Sequence, residues 1–541
     1  MNLSKIFKNA LLIIFIPWFA WLLMPDKAAQ VGPVPAGTEA RPTAPAKYVI
    51  RFSPGDQYMP DACPFGMGKP LQGLKTVVAA FEKRFPDTRI EIISVPGVRE
   101  YLVTQLSSGA APDILNVNVE DVWVDTQKGW YVPLDVFFEA PNPFVVEKGD
   151  PAGTEAGTTL PGAKQWWDMF TYQAISRGKA APDNKNYCLT YDMIETGIFY
   201  NKTLFDQFGL KPPNNWGEFI QMMERLKQEK KIPLLMNLDA FVDWAQDLLF
   251  DQVYWDLLPG LDLIQDPVRE AYLQGYFDPE EIAYLHRKGF FTEKDVRFRE
   301  VWRLMRQLKT YTNQNLEPND LIREFVTQRA AMLWSASPLV YRFAADPKLG
   351  FEWGVFYLPR LTKADSPYAA GTDMCVIGGS ATQLEVSNSA VGDTPENWPM
   401  ERRMRESERL KRVIAFLQFI CLPEHAEKII NEYACFIPNI VGVKPLPQLK
   451  DFVTILERRY TTTKWLFSFD LRFSDILRRM LALYLTDGID LDEFLRWQIK
   501  NITAACDNLV LRKRIDLHSM DDAWNRMREK RRGMKDLPTR E

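Results

Sequence analysis

The chain has 541 residues, 46% of them hydrophobic and 25% charged, with a formal net charge of −4. That length can bury more than one core, so two domains or lobes are expected. The small, dispersed charge leaves no electrostatic footprint for nucleic acid. Six cysteines are too few and too scattered for a disulfide-built scaffold. One or two bridges are compatible with an oxidising compartment, with Cys421 and Cys435 the nearest pair in sequence.

Lys5 and Lys8 precede an apolar run from Ala10 to Met24, the layout of a secretory signal, so export is expected. The stretch from Ile6 to Met24 also approaches the roughly 20 residues that span a bilayer. Asp26-Lys27-Ala28-Ala29 is a poor cleavage site. Residues 1–24 therefore read as a signal peptide or a signal anchor, and both readings stand. Residues 25–47, rich in Pro and Ala, read as an extended linker.

The first strand is expected over Tyr48 to Ser53, followed by a polar turn, Pro54 to Tyr58. Ligands of open α/β sheets bind at the carboxyl ends of strands, which makes Ser53, Asp56 and Gln57 candidate contacts. Leu74, Val77, Val78 and Phe81 recur at helical spacing, and the helix must stop before Pro86. Ile90, Ile92 and Ile93 form a short β-branched strand. A second helix runs from near Tyr101 to Gly109, a residue suited to a left-handed cap, and Pro112 blocks continuation. Asp113-Ile114-Leu115 opens the next strand, whose end offers Asp113, Asn116, Asn118 and Glu120. This alternation predicts an α/β fold with crossover helices.

Residues 140–186 are Gly-, Pro- and Ala-rich around Trp166-Trp167-Asp168-Met169-Phe170, an insertion over the cleft or lobe surface, or else a satellite cluster under a long loop. Asn215 is placed to cap a helix beginning at Trp216, with Glu218 three positions on. Phe241, Trp244, Phe250 and Tyr254 repeat at helical spacing and read as core. The basic run Arg526 to Arg532 reads as a solvated helix face, with contact to anionic lipid headgroups as the sharper alternative.

The order of local motifs carries more than any one of them. Phe81 to Ile92 reads F-x-x-x-x-P-x-x-x-I-E-I, Leu106 to Ile114 reads L-x-S-G-A-A-P-D-I, and Gly129 to Asp135 reads G-W-Y-V-P-L-D. Tyr187 to Thr190 and Tyr200-Asn201-Lys202 follow, then the proline-rich turn before Trp216, Phe325 to Ser335, Gly354 to Pro359, Val413 to Leu422, Phe436 to Asn439 and Asp487 to Leu495. Together, over about residues 48–505, they resemble the extracellular solute-binding protein family 1, the maltose-binding-protein-like substrate receptors of sugar-importing ABC transporters. Thr190 stands where the family usually has proline, and Gln328 or Arg329 where glycine is typical.

The resemblance implies a two-lobed, type II periplasmic-binding-protein-like α/β fold with hinge crossings near Thr190, Pro359 and Pro438. Lobe 1 would hold residues 48–190 and 360–438, lobe 2 residues 191–359 and 439–505, and a C-terminal extension residues 506–541. It implies an extracytoplasmic protein, without cofactor, that closes two lobes around a sugar or oligosaccharide and presents it to permease subunits. It adds Tyr191 and Asp192 at the first crossing, Asp239 and Trp244, Trp334 and Ser335, and Trp465 as a stacking residue to the candidate contacts. Catalysis is not expected: His286, His425 and His518 stand far apart, without metal-ligand spacing, and there is no G-x-S-x-G elbow. Two alternatives are a membrane-tethered sensory or scaffold protein on the same fold, and a carbohydrate-active enzyme using a carboxylate pair.

Overall fold

The computed structural model describes residues 46–530 apart from 96–98, 118–121, 123–124, 126–127, 146–159, 161–162, 172–184, 265–278, 318–319, 348, 375–376, 380 and 453–470. Its strands in chain order are β1 (Tyr48–Phe52), β2 (Thr88–Ile92), β3 (Ile114–Asn116), β4 (Cys188–Thr190), β5 (Asp192–Asn201), β6 (Ile232–Leu235), β7 (Ala330–Ala336), β8 (Trp353–Phe356), β9 (Ile377–Gly379), β10 (Gln383–Val386) and β11 (Ile437–Pro438).

They form two sheets. The first has the order β2-β1-β3-β10-β4, with β1 parallel to β2 and β3, and β10 antiparallel to its neighbours. The second has the order β11-β5-β7-β6, with β8 and β9 also paired to β5. The sheets are thus mixed, and the parallel β1-β2 pair is crossed over by the helix Gly73–Arg84, which buries Leu74, Val77, Val78 and Phe81 as their spacing predicts. Gly109, at φ 66, ends the following helix region.

Both sheets are covered on both faces, because successive side chains of a strand point to opposite sides. In β3, Ile114 joins the core built on the helices Glu408–Ile420 and Gly73–Arg84, whereas Leu115 packs with Leu102 and Leu106 of the helix Arg99–Ser107. In β5, Ile198 faces the largest core, with Trp216, Trp302 and Phe250, and Phe199 faces a smaller one with Phe325 and Phe343. The aromatic island of the 140–186 stretch belongs to the first sheet's main core: Trp167 stacks on Phe138 at 4.0 Å, and Trp166 and Phe170 lie against the same ring. Asn215 caps its helix, accepting from Glu218 N–H at 3.0 Å, while the Glu218 carboxylate reaches back one residue further than a simple box, to Asn214 N–H.

The chain leaves the first sheet at Tyr191, between β4 and β5. It does not return at Pro359. Leu358, Leu361, Ala369 and Met374 lie in the largest core, β9 still pairs with β5, and Gln383 is where pairing with the first sheet resumes. Gln252 helps to fasten this segment: its side-chain oxygen accepts from Leu361 N–H and its carbonyl from Ala370 N–H.

The tail is likewise no appendage. The helix Leu491–Lys513 runs straight through Cys506, and Cys506, Leu509, Met520, Trp524 and Met527 all join the largest core. Tyr284 O–H donates to Asp521 at 2.7 Å, and Trp524 sits edge-on to Tyr284 and Phe290. Arg526, Arg528 and Lys530 are exposed on the last helix, as a solvated face should be. Cys63, Cys421, Cys435 and Cys506 are free thiols. Cys375 and residues 1–24 lie outside the described residues, among which no helix is long and apolar enough to cross a membrane.

Near the tail, the buried Glu281 accepts from Leu263 N–H at 2.6 Å and Ile264 N–H at 2.8 Å. Burial, aided by Asp262, pushes its carboxyl up to about 8. The folded state therefore holds a proton that the unfolded state releases above its ordinary value near 4.5. Stability from this group is fully present below pH 4.5 and is lost as pH rises through about 8. Glu281→Gln keeps an accepting oxygen and is expected to flatten the pH dependence of urea unfolding between these values. An unchanged slope would show that Glu281 ionises normally.

Candidate functional site

Asp192, first residue of β5, is buried, and each carboxylate oxygen is used. Oδ2 accepts from Tyr58 O–H at 2.8 Å; Oδ1 accepts from Ala381 N–H at 2.9 Å and Thr382 N–H at 3.0 Å. Burial first, and then the Asp192 charge, hold the Tyr58 phenol well above its ordinary range, so it stays a donor. Gln57 Nε2 donates to Ala381 O at 2.6 Å and Thr382 Oγ1 at 3.0 Å, and its own carbonyl accepts from Tyr433 O–H at 2.6 Å. Tyr191 O–H donates to Ile420 O at 2.8 Å, and Asn439 Nδ2 to Thr190 O at 3.0 Å. One polar knot thus ties the turn after β1, the crossing into β5, the segment before β10 and the residues flanking β11.

This arrangement corrects three expected contacts. Tyr191 and Asp192 are buried with their polar atoms engaged, so they build the crossing instead of lining a cleft. Asp113 is buried too, accepting from Arg51 N–H at 2.8 Å and paired with Arg409 through two bonds of 2.9 and 2.7 Å. It precedes β3, at the strand's amino end, and continues the β1 ladder one step beyond the β3 backbone.

The carboxyl ends of β1 and β3 keep the other candidates together. Asn116 Oδ1 accepts from Gln383 N–H at 2.8 Å, and the turn beside it needs Gly55: at φ 82, a Cβ there would overlap Asn116 and Gln57. Ser53 is buried at the strand end, with its N–H on Ile114 O, and Asp56 is exposed. Asn118, Glu120 and Trp465 lie outside the described residues.

On the second sheet, the helix after β6 begins with a π-helical turn, Ala240–Ala245, which widens the backbone where Trp244 leaves it. Trp244 is half-buried against Trp334 of β7, with ring centroids 6.2 Å apart at 37°. Trp334 is 3% exposed, so it is the wall behind Trp244 and not an open platform. Ser335 is partly exposed beside it, and Asp239 pairs with Arg478. The carboxyl end of β7 pairs with Thr196 of β5, four positions past Asp192, so the carboxyl edges of both sheets adjoin the crossing.

Tyr58 and Tyr433 were not among the expected residues. Gln57 and Tyr433 are 376 positions apart, and nothing local signals that contact. The histidines are engaged structurally: His286 with Phe290 O and Thr503, His425 against the Phe419 ring, and His518 with Asp521. No group of three His, Cys, Asp or Glu side chains suited to a metal occurs among the described residues.

Two covered sheets exchanging chain at a knotted crossing, with polar turns and an aromatic pair at their carboxyl edges, define the two-lobed solute-binding fold. The family model described as bacterial extracellular solute-binding protein matches residues 68–383, and the chain belongs to that family. A multiple sugar-binding protein of Streptococcus mutans is 26% identical over 163 residues, 30% of this chain and 32% of that protein, so the match spans about a third of the relative's length. Among solved structures, the sugar-binding protein MalE from Xanthomonas citri superposes with a TM-score of 0.54 at 17% identity, covering 86% of this chain and 100% of the other. A chitin oligosaccharide binding protein does so with a TM-score of 0.56 at 16% identity, covering 85% and 98%.

Proposed function

We propose that this protein is an extracytoplasmic receptor that captures a carbohydrate between two lobes and delivers it to an ABC transporter permease, without catalysing a reaction on it. Lobe 1 would be built on the first sheet and lobe 2 on the second, with Gln57, Asn116, Asp56 and Ser53 facing Asp239, Trp244 and Ser335. What supports the reading is that amide and carboxylate side chains stand at the carboxyl ends of β1 and β3, and that a half-buried Trp244 backed by Trp334 stands beyond the carboxyl end of β6. Sugars present hydroxyl rims and apolar C–H faces, and need both kinds of partner. The multiple sugar-binding relative, the sugar-binding MalE and the chitin oligosaccharide binding protein support it. A ligand drives closure only by binding the closed form better.

A thermal-shift screen against monosaccharides, polyols and oligosaccharides tests the reading. At a hundredfold excess over its dissociation constant the right ligand adds about 2.7 kcal/mol of stability. A panel in which no carbohydrate raises the melting temperature, or product analysis showing turnover, would refute it. For the amino terminus, membrane fractionation decides: mature soluble protein starting near Ala28 to Val31 means cleavage, and release only after proteolysis within residues 25–47 means a retained anchor.

A further inference from the structure

We propose that Phe65, at the tip of the loop following β1, is a ligand contact, a stacking platform for a sugar ring at the mouth of the site. The inference rests on the carbohydrate reading above. Its loop is closed at the base by two bonds of 2.9 Å, Asp61 N–H to Leu71 O and Leu71 N–H to Ala62 O, so the ends meet as in an Ω-loop. Inside, Gly66 N–H bonds Cys63 O and Met67 N–H bonds Pro64 O, both at 3.0 Å. At the base Gln72 Nε2 donates to Asp61, and Glu432 accepts from Gln72 N–H at 2.6 Å and Gly73 N–H at 2.7 Å. From the helix Leu339–Ala345, Tyr341 O–H donates to Met67 O at 3.0 Å. Gly68 is needed there, since at φ 79 a Cβ would overlap the Tyr341 hydroxyl.

This well-fastened loop holds Phe65 in two unfavourable ways. Phe65 has φ 53 and ψ 22, a left-handed conformation that costs energy for a bulky residue. Its side chain is also 58% exposed, with the Tyr341 ring beside it, centroids 6.4 Å apart at 38°. Strain retained in a tied-down loop marks a candidate functional position. The placement agrees. The loop leaves the carboxyl end of β1, and Tyr341 lies on the helix Leu339–Ala345 that follows the carboxyl end of β7, so both rings stand on segments that begin at strand carboxyl ends, the usual place for ligands of open α/β sheets. A phenyl face offers stacking to pyranose C–H groups and no hydrogen bond, leaving hydroxyl recognition to the polar residues nearer the crossing.

Calorimetry of the full chain, with the carbohydrate that gives the largest thermal shift, tests this. Phe65→Ala is expected to weaken binding about tenfold or more, and Phe65→Trp to stay within about threefold of wild type. Phe65→Gly, which relieves the left-handed backbone, should lose the same affinity while keeping the wild-type melting temperature. Wild-type affinity in the Ala and Gly variants overturns the proposal, as does an affinity loss that tracks a fall in melting temperature and is not rescued by Trp. Should wild type bind no carbohydrate at all, the carbohydrate reading itself fails, and the role of Phe65 with it; that outcome is distinct from a binding protein in which Phe65 is silent.

Discussion

Asp192→Ala is expected to lower the unfolding free energy by about 3 to 5 kcal/mol, as when one partner of a buried polar network is removed. Three donors lose their acceptor together: the Tyr58 phenol and the N–H groups of Ala381 and Thr382. All three residues are largely screened from water, so solvent replaces the carboxylate poorly. Asp192→Asn retains an accepting oxygen and should cost less, and Tyr58→Phe, which deletes one bond, about 1 kcal/mol. Urea denaturation followed by tryptophan fluorescence measures each. An alanine variant with the wild-type midpoint would mean that the crossing is held by packing alone. Because the same carboxylate joins segments of both sheets, ligand affinity in the Asn variant also reports whether this knot sets the resting angle of the hinge.

Arg409→Met should cost about 3 kcal/mol, the lower end of the range for breaking a buried ion pair, because Arg409 is itself 25% exposed. The loss comes from Asp113, which is 0% exposed and is left with Arg51 N–H as its donor among the described contacts. Replacing both partners, Asp113→Leu with Arg409→Met, should cost less than the sum of the single changes, since no buried charge is then left alone. A double-mutant cycle by urea unfolding at pH 7 measures the coupling, and strict additivity would contradict the pair's role. Sugar affinity should be unaffected in Arg409→Met, which separates this ion pair from the binding edge.

Local chemistry was enough for the elements that set the frame. Pro86 and Pro112 delimit helices through steric exclusion, Ile90 and Ile92 make a strand because branched side chains fit a pleated surface, and Asn215 caps through its own side-chain oxygen. The ordered motifs from Phe81 to Leu495 carried the family and the two-lobed fold in the same way, since each is a short-range requirement of one turn or strand. What no local rule contained was which polar side chains face solvent. Asp113, Tyr191 and Asp192 look like binding residues in sequence, being polar and near strand boundaries. Their partners Arg409, Ile420 and Tyr58 lie 296, 229 and 134 positions away, so only the folded chain shows them spent on structure. The return crossing was displaced for the same reason: residues 358–374 pack into the largest core, where Gln252, distant in sequence, bonds Leu361 and Ala370. Turns, caps and strand starts are decided within a few residues, where sequence is sufficient. Burial, ion pairing and the exposed left-handed Phe65 are decided by tertiary contacts, where it is not.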